Sequence, residues 1–120
     1  LPSEEGLRRN ERIAQAFEYK EVIRKGRLIA GKTFNAYFLI GMGLDRKAGF
    51  IAGRRVGNAC LRNRAKRLLR ESYRISKAGL PASGFRAVFV AKDATAAAKL
   101  ADVRNEMAWM FRQCGLVKSA

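Results

Sequence analysis

Between Arg54 and Arg74 the chain reads RRVGNACLRNRAKRLLRESYR, where eight arginines and lysines stand against a single acid, Glu71. Leu61, Ala65, Leu68 and Leu69 recur within it at helical spacing. The stretch therefore predicts an amphipathic helix with one face toward a core and a cationic face toward solvent. Steps of four from Arg62 reach Lys66, Arg70 and Arg74, a nearly axial line of positive charge with Asn58 below it and Asn63 and Arg67 beside it. Stacked like charges destabilise an isolated helix by roughly 0.2–0.5 kcal/mol per pair, and a polyanion laid along the line relieves all of them together. A solvated face is the ordinary fate of a charge run. Here the acids that usually alternate along such a face are missing.

The remainder of the chain sets the context for that helix. A length of 120 residues with 48% apolar content predicts one domain over 1–120 around one modest core, with residues 1–7 as a loose lead-in. A formal charge of +15 points to nucleic acid, an anionic membrane surface or an acidic protein as partner. No apolar run approaches the roughly 18 residues of a spanning helix, and LPSEEGLRR has no signal-peptide core, so the expectation is a soluble, intracellular protein without a membrane partner. There is no histidine, which removes Ser-His-Asp and Cys-His sites, and the ten acids are scattered rather than paired. Cys60 and Cys114 form no CxxC and are expected to be reduced and partly buried. No catalytic side chain, metal site or protein-bound cofactor is expected.

Periodicity along the chain predicts an α+β fold. Arg8 to about Lys25 reads as a helix stopped by Gly26, its apolar residues Ile13, Phe17, Tyr19, Val22 and Ile23 spread over a wide arc. Thr33 to Gly41 alternates, with Phe34, Ala36, Phe38 and Ile40 as the core set and Thr33, Asn35, Tyr37 and Leu39 on a face open to a ligand. GMGLDRKAG reads as turn material, and Gly49 to Gly53 as a second strand. AGLPASG is a loop, Phe85 to Ala91 a buried strand, and Arg27 to Ala30 holds room for a further strand. The last helix is expected from an N-cap at Asp93 to about Cys114, with Leu100, Val103, Met107, Met110 and Phe111 closing the core and Trp109 half-exposed beside them.

Gly26 to Thr33, GRLIAGKT, satisfies the Walker A pattern in full. Its context refuses a nucleotide-binding loop, which must follow a buried strand and open a helix so that helix N-terminal amides hold the phosphates. Here a helical stretch precedes it and a strand pattern follows.

VGNACLRNRAKRLLRE, Val56 to Glu71, closely resembles the signature of the protein subunits of bacterial ribonuclease P: Gly-Asn-Ala, then Arg-Asn-Arg, Lys-Arg and Arg-Glu at matching spacing. Arg54 and Arg55 stand where that family has paired lysines, and Glu18-Tyr19, Val22, Gly26, Phe34, Tyr37 and FRAVFVA extend the similarity over nearly the whole chain. The resemblance implies an α-β-β-β-α-β-α sandwich of a small sheet with helices, with a left-handed crossover through the basic helix against the general right-handed rule. It implies the accessory subunit of an endoribonuclease whose catalytic centre, with its magnesium, lies in the RNA. The partners implied are that catalytic RNA and the 5′ leader of precursor tRNA, in the cytoplasm, with no protein partner required.

By the match, Arg54, Arg55, Asn58, Arg62, Asn63, Arg64 and Arg67 would face the catalytic RNA, and Lys66 and Arg70 would border a cleft between the first helix and the sheet. Arg74 continues the cationic line. The leader would pass over Tyr19 and Tyr37, which stack on bases without selecting among them, and Asn35 lies on the same sheet face. Where the family commonly has a second aromatic this chain has Ile23, with Phe17 as the alternative; where an acid usually opens the last strand it has Arg86. The rival reading is a general structured-RNA-binding or ribosomal-type protein using the same cationic line without a processing role.

Overall fold

The computed structural model describes residues 11–117. Its elements run α1 (Ala16–Lys25), β1 (Arg27–Ala30), β2 (Phe34–Asp45), β3 (Lys47–Ile51), α2 (Ala59–Ser76), β4 (Ser83–Ala91) and α3 (Leu100–Gln113). The order is the expected α-β-β-β-α-β-α, and the strand foreseen at Arg27–Ala30 is present. The sheet is ordered β1-β2-β4-β3, antiparallel except for the β3–β4 pair, which α2 connects.

Alternation along the strands sorts the two faces. Phe34, Ala36 and Phe38 of β2, Ala48 of β3, and Phe85, Ala87, Phe89 and Ala91 of β4 face one core with Ala65, Leu69 and Tyr73 of α2 and Val103, Met107, Met110 and Phe111 of α3. Phe89 lies at its centre, its ring 5.7–6.2 Å from those of Phe34, Phe38, Phe50, Tyr73 and Phe111, within the range of favourable aromatic pairing. On the other face α1 covers a smaller cluster of Ile13, Val22 and Val88, against which Tyr19, Tyr37, Leu39, Ile51 and Val90 pack.

Several expectations are corrected. The first helix begins at Ala16, because residues 12 and 13 run along the edge of β3. Ile13 N–H donates to Ala48 O at 3.1 Å, and the Glu18 carboxylate accepts from the Ala14 and Gln15 amides that precede the helix. The Arg8 to Asn10 part of that helix lies outside the described residues. GMGLDRKAG is mostly strand, since β2 continues to Asp45 and β3 starts at Lys47, with the β2–β4 register shifting between Ile40 and Asp45. Ile40 is 53% exposed: alternation assigns it a face, but the core cluster on that face does not include it.

Asp93 is not a helix cap. The helix starts seven residues later at Leu100, and the intervening segment is fastened to the β1–β2 turn. There the Thr95 hydroxyl donates to Thr33 O, Lys92 N–H donates to Thr95 Oγ1 at 2.8 Å and Lys92 Nζ to Gly31 O at 2.8 Å. Trp109 is half-exposed as expected, Cys114 is partly buried, and Cys60 is exposed rather than partly buried. No helix among the described residues is long and apolar enough to cross a membrane.

Candidate nucleic-acid interface

A short 3-10 turn at Arg54–Val56 leads into α2. Gly57 has φ +134°, and a Cβ there would lie 2.6 Å from Leu61 Cδ1, so the glycine serves both the backbone turn and the seating of Leu61. Asn58 then caps the helix, its Oδ1 accepting from Leu61 N–H at 3.0 Å. The buried face of α2 is Ala65, Leu69, Ser72 and Tyr73. Leu61 is 42% exposed and Leu68 half-buried, so the expected register is right for Ala65 and Leu69 and wrong at its start.

Arg54, Arg55, Asn58, Asn63, Arg64, Arg67 and Arg70 are exposed, while Arg62, Lys66 and Arg74 are half-buried. Two of the arginines also hold the fold: Arg64 Nε donates to Ala96 O at 2.7 Å, and Arg74 pairs with Glu71. The one acid of the stretch is thereby spent on its C-terminal arginine, and among the described residues the cations nearer the N-terminus form no ion pair.

Lys66 and Arg70 border a concavity shared with Tyr19 of α1 and with Arg12, Gly49 and Phe50 at β3. Gly49 makes this possible, because a Cβ there would lie 2.4 Å from Tyr19 Cε1; the tyrosine ring rests on bare backbone. Arg70 Cζ stands 5.8 Å from the Phe50 ring centroid, within cation–π range. Tyr37 reaches the same apolar cluster from β2, opposite Val88, which is in turn opposite Gly49.

The structure does not gather all the cleft residues predicted from sequence. Asn35 lies in a separate concavity at the end of the sheet with Lys32, Arg55, Val90 and Lys92. Ile23 lies on the outer side of α1 with Phe17, Lys20 and Arg24, and Phe17 is 70% exposed. Arg12, Lys32 and Lys92 escaped sequence reasoning because only the β-bridge at Ala48 and the β1–β2 turn bring them to these sites.

Arg86 of β4 finds a carboxylate partner. Its Nη1 lies 3.7 Å from Glu18 Oε2, and Lys47 Nζ donates to the same oxygen at 2.9 Å. The Lys47 hydrogen bond, with lesser help from the Gln15 and Ala14 amides, holds the Glu18 carboxyl below the usual glutamate range against the opposing effect of burial. The GRLIAGKT motif is strand β1 with the turn that follows it, and the amides of that turn are already filled. Lys32 and Thr33 N–H donate to the Glu106 carboxylate at 2.9 and 2.8 Å, and the Thr33 hydroxyl donates at 2.6 Å. A carboxylate of α3 thus occupies the position a phosphate would need.

A cationic helix face beside a shallow aromatic groove, carried on a small α+β layer structure, defines a protein shaped to hold a polyanion. The family model for ribonuclease P matches residues 7–115, and the chain belongs to the ribonuclease P protein family, whose work is the 5′ processing of tRNA. It is 39% identical over 109 residues to the ribonuclease P protein component of Acidothermus cellulolyticus, covering 88% of this chain and 84% of that one. It is 28% identical over 114 residues to the component of Alkaliphilus oremlandii, covering 95% and 94%. The RNase P protein of Staphylococcus aureus superposes with a TM-score of 0.76 at 20% identity, covering 90% of this chain and 98% of that chain. That of Thermotoga maritima gives 0.73 at 21%, covering 86% and 96%. These two structures bear on the fold alone.

Proposed function

We propose that this chain assists a catalytic RNA in the cytoplasm by holding both that RNA and the single-stranded 5′ leader of precursor tRNA. The observation that carries the reading is the Tyr19 ring seated on Gly49 beside Lys66 and Arg70. It is an aromatic platform with cations at its rim, the combination that binds single strands without choosing sequence. The exposed arginines and asparagines of α2 take the structured RNA, the cations neutralising phosphates and Asn58 and Asn63 offering amides to 2′-hydroxyls.

Bond cleavage belongs to the RNA in this reading, and so does magnesium. Glu11, Glu18, Glu71 and Glu106 are each engaged by lysine, arginine or backbone N–H groups, so these carboxylates are poor candidates to hold a cation. This chain's own residues bind, orient and neutralise charge, and no other protein is required.

Adding the protein to a bacterial ribonuclease P RNA at low magnesium should raise kcat/KM for precursor tRNA cleavage well above that of the RNA alone. RNA binding without any gain in cleavage would instead assign the cationic face to a general RNA-binding role.

A further inference from the structure

Of the arginines that α2 turns outward, Arg64 is the one the fold has already engaged. The buried face of α2 begins at Ala65, so the first turn of the helix, with Asn58 at its cap and Arg62 and Asn63 on it, holds no buried residue of its own. Arg64 fastens that turn from the side, its Nε donating to Ala96 O at 2.7 Å. Ala96 is buried, and no backbone amide among the described residues donates to its carbonyl. The guanidinium therefore satisfies an acceptor that would be costly to leave unmade. That carbonyl is itself fixed in place. Thr95, fully buried beside it, accepts from Lys92 N–H and donates its hydroxyl to Thr33 O, and Thr33 is bound to Glu106 of α3. One row of hydrogen bonds thus ties the start of α2 to the β1–β2 turn and to α3. The direction of the side chain agrees: Arg64 stands roughly 160° around the helix from Lys66, away from the groove that Lys66 borders with Tyr19.

We infer that Arg64 is a positioning residue, which sets the aim of the first turn of α2 and binds no phosphate itself. This role rests on the reading that α2 holds the catalytic RNA. Asn58 and Asn63 reach that RNA from the turn Arg64 fastens, and hydrogen bonds from their amides weaken steeply when donor and acceptor are misaligned. A phosphate contact demands less. Arg67 is exposed and engages no partner among the described residues, so it remains available to neutralise charge.

A glutamine separates the two roles. Its Nε2 stands on the same Cδ that carries Nε in arginine, so Arg64→Gln keeps a donor for Ala96 O and removes the charge. The experiment measures the affinity of the whole protein for a bacterial ribonuclease P RNA over a range of salt concentrations. Arg64→Ala should bind about 3–10-fold more weakly, the scale of one net hydrogen bond. Arg64→Gln should return to wild-type affinity with an unchanged slope of log affinity against log salt. Arg67→Gln should bind more weakly and lower that slope by about 0.7–0.9, the share of one phosphate contact. The glutamine variant decides the matter if Arg64→Ala melts early.

An Arg64→Gln variant that loses affinity and slope as Arg67→Gln does would overturn the assignment, because Arg64 would then be a phosphate contact. A folded Arg64→Ala variant that binds as tightly as wild type would overturn it too, while leaving the slope change at Arg67 intact. Affinity and slope that none of the three substitutions alters would remove the reading of α2 as the RNA-binding face, and the role of Arg64 with it.

Discussion

On one face of the sheet Phe89 is fully buried and meets five other rings, and α2 and α3 close over it. On the other, α1 covers a patch centred on Val22 and Val88, with two half-buried tyrosines and an ion-paired glutamate at its margin. The first face has the aromatic density and burial that stabilise a small domain. The second leaves flat rings and cations within reach of solvent. Each strand of the sheet serves both faces through its alternation, so a binding surface is held rigid by a core only one side chain away.

Substitutions should separate the two faces, and the largest effect is expected at the closed one. Phe89→Ala should cost about 3–5 kcal/mol in denaturant unfolding, the usual loss for a buried phenylalanine in a core that cannot collapse. A loss under about 1 kcal/mol would mean that the two faces share the stability more evenly than their packing implies. Tyr37→Ala should cost less stability and appear instead in binding. Precursor tRNA with a long leader should lose about 1–3 kcal/mol of affinity, the scale of one base–aromatic stack, while mature tRNA is unaffected. Equal losses for the two RNAs would remove Tyr37 from the leader path.

The smallest effect concerns the carboxylate that fastens each face. Glu18 ties α1 to Lys47 and Arg86, and Glu106 ties α3 to the β1–β2 turn. Burial pushes the Glu106 carboxyl up, but hydrogen bonds from the Thr33 hydroxyl and the Thr33 and Lys32 amides outweigh it and hold the group below its ordinary value. Both groups are thus depressed in the folded state. Their contribution is complete above the ordinary glutamate range and is lost as pH falls through the lower folded values. Glu106→Gln should cost about 0.5–1.5 kcal/mol at neutral pH, the scale of one net hydrogen bond, and should lessen the acid sensitivity of the melting temperature. An unchanged acid slope would assign that sensitivity to Glu18 and the open face.

Much of this was legible before any fold was known. The α2 pattern placed Ala65 and Leu69 inward and most of its cations outward, and the alternation of Phe34, Ala36 and Phe38 placed them in the core. Periodicity failed where the partner surface ends. Leu61 and Ile40 keep the apolar spacing but are exposed, because spacing assigns a face and says nothing of what covers it. Asp93 failed for another reason: long-range hydrogen bonds among Thr95, Lys92 and the β1–β2 turn hold the following residues out of a helix, and no local signal predicts a partner some sixty residues away.

The cationic helix began as a charge pattern in search of a polyanion. The sequence by itself determined its charge, the inward placing of Ala65 and Leu69 and the resemblance that led to the family, because these depend on neighbours close along the chain. Its start at Ala59 rather than Arg54 was shown by the fold. The tertiary structure alone decided that Lys66 and Arg70 meet Tyr19 over Gly49, and that Asn35 stands apart among Lys32, Arg55 and Lys92. Those sites are made by strand pairing and by the approach of one layer to another, and the distances they depend on exist only once the chain has folded.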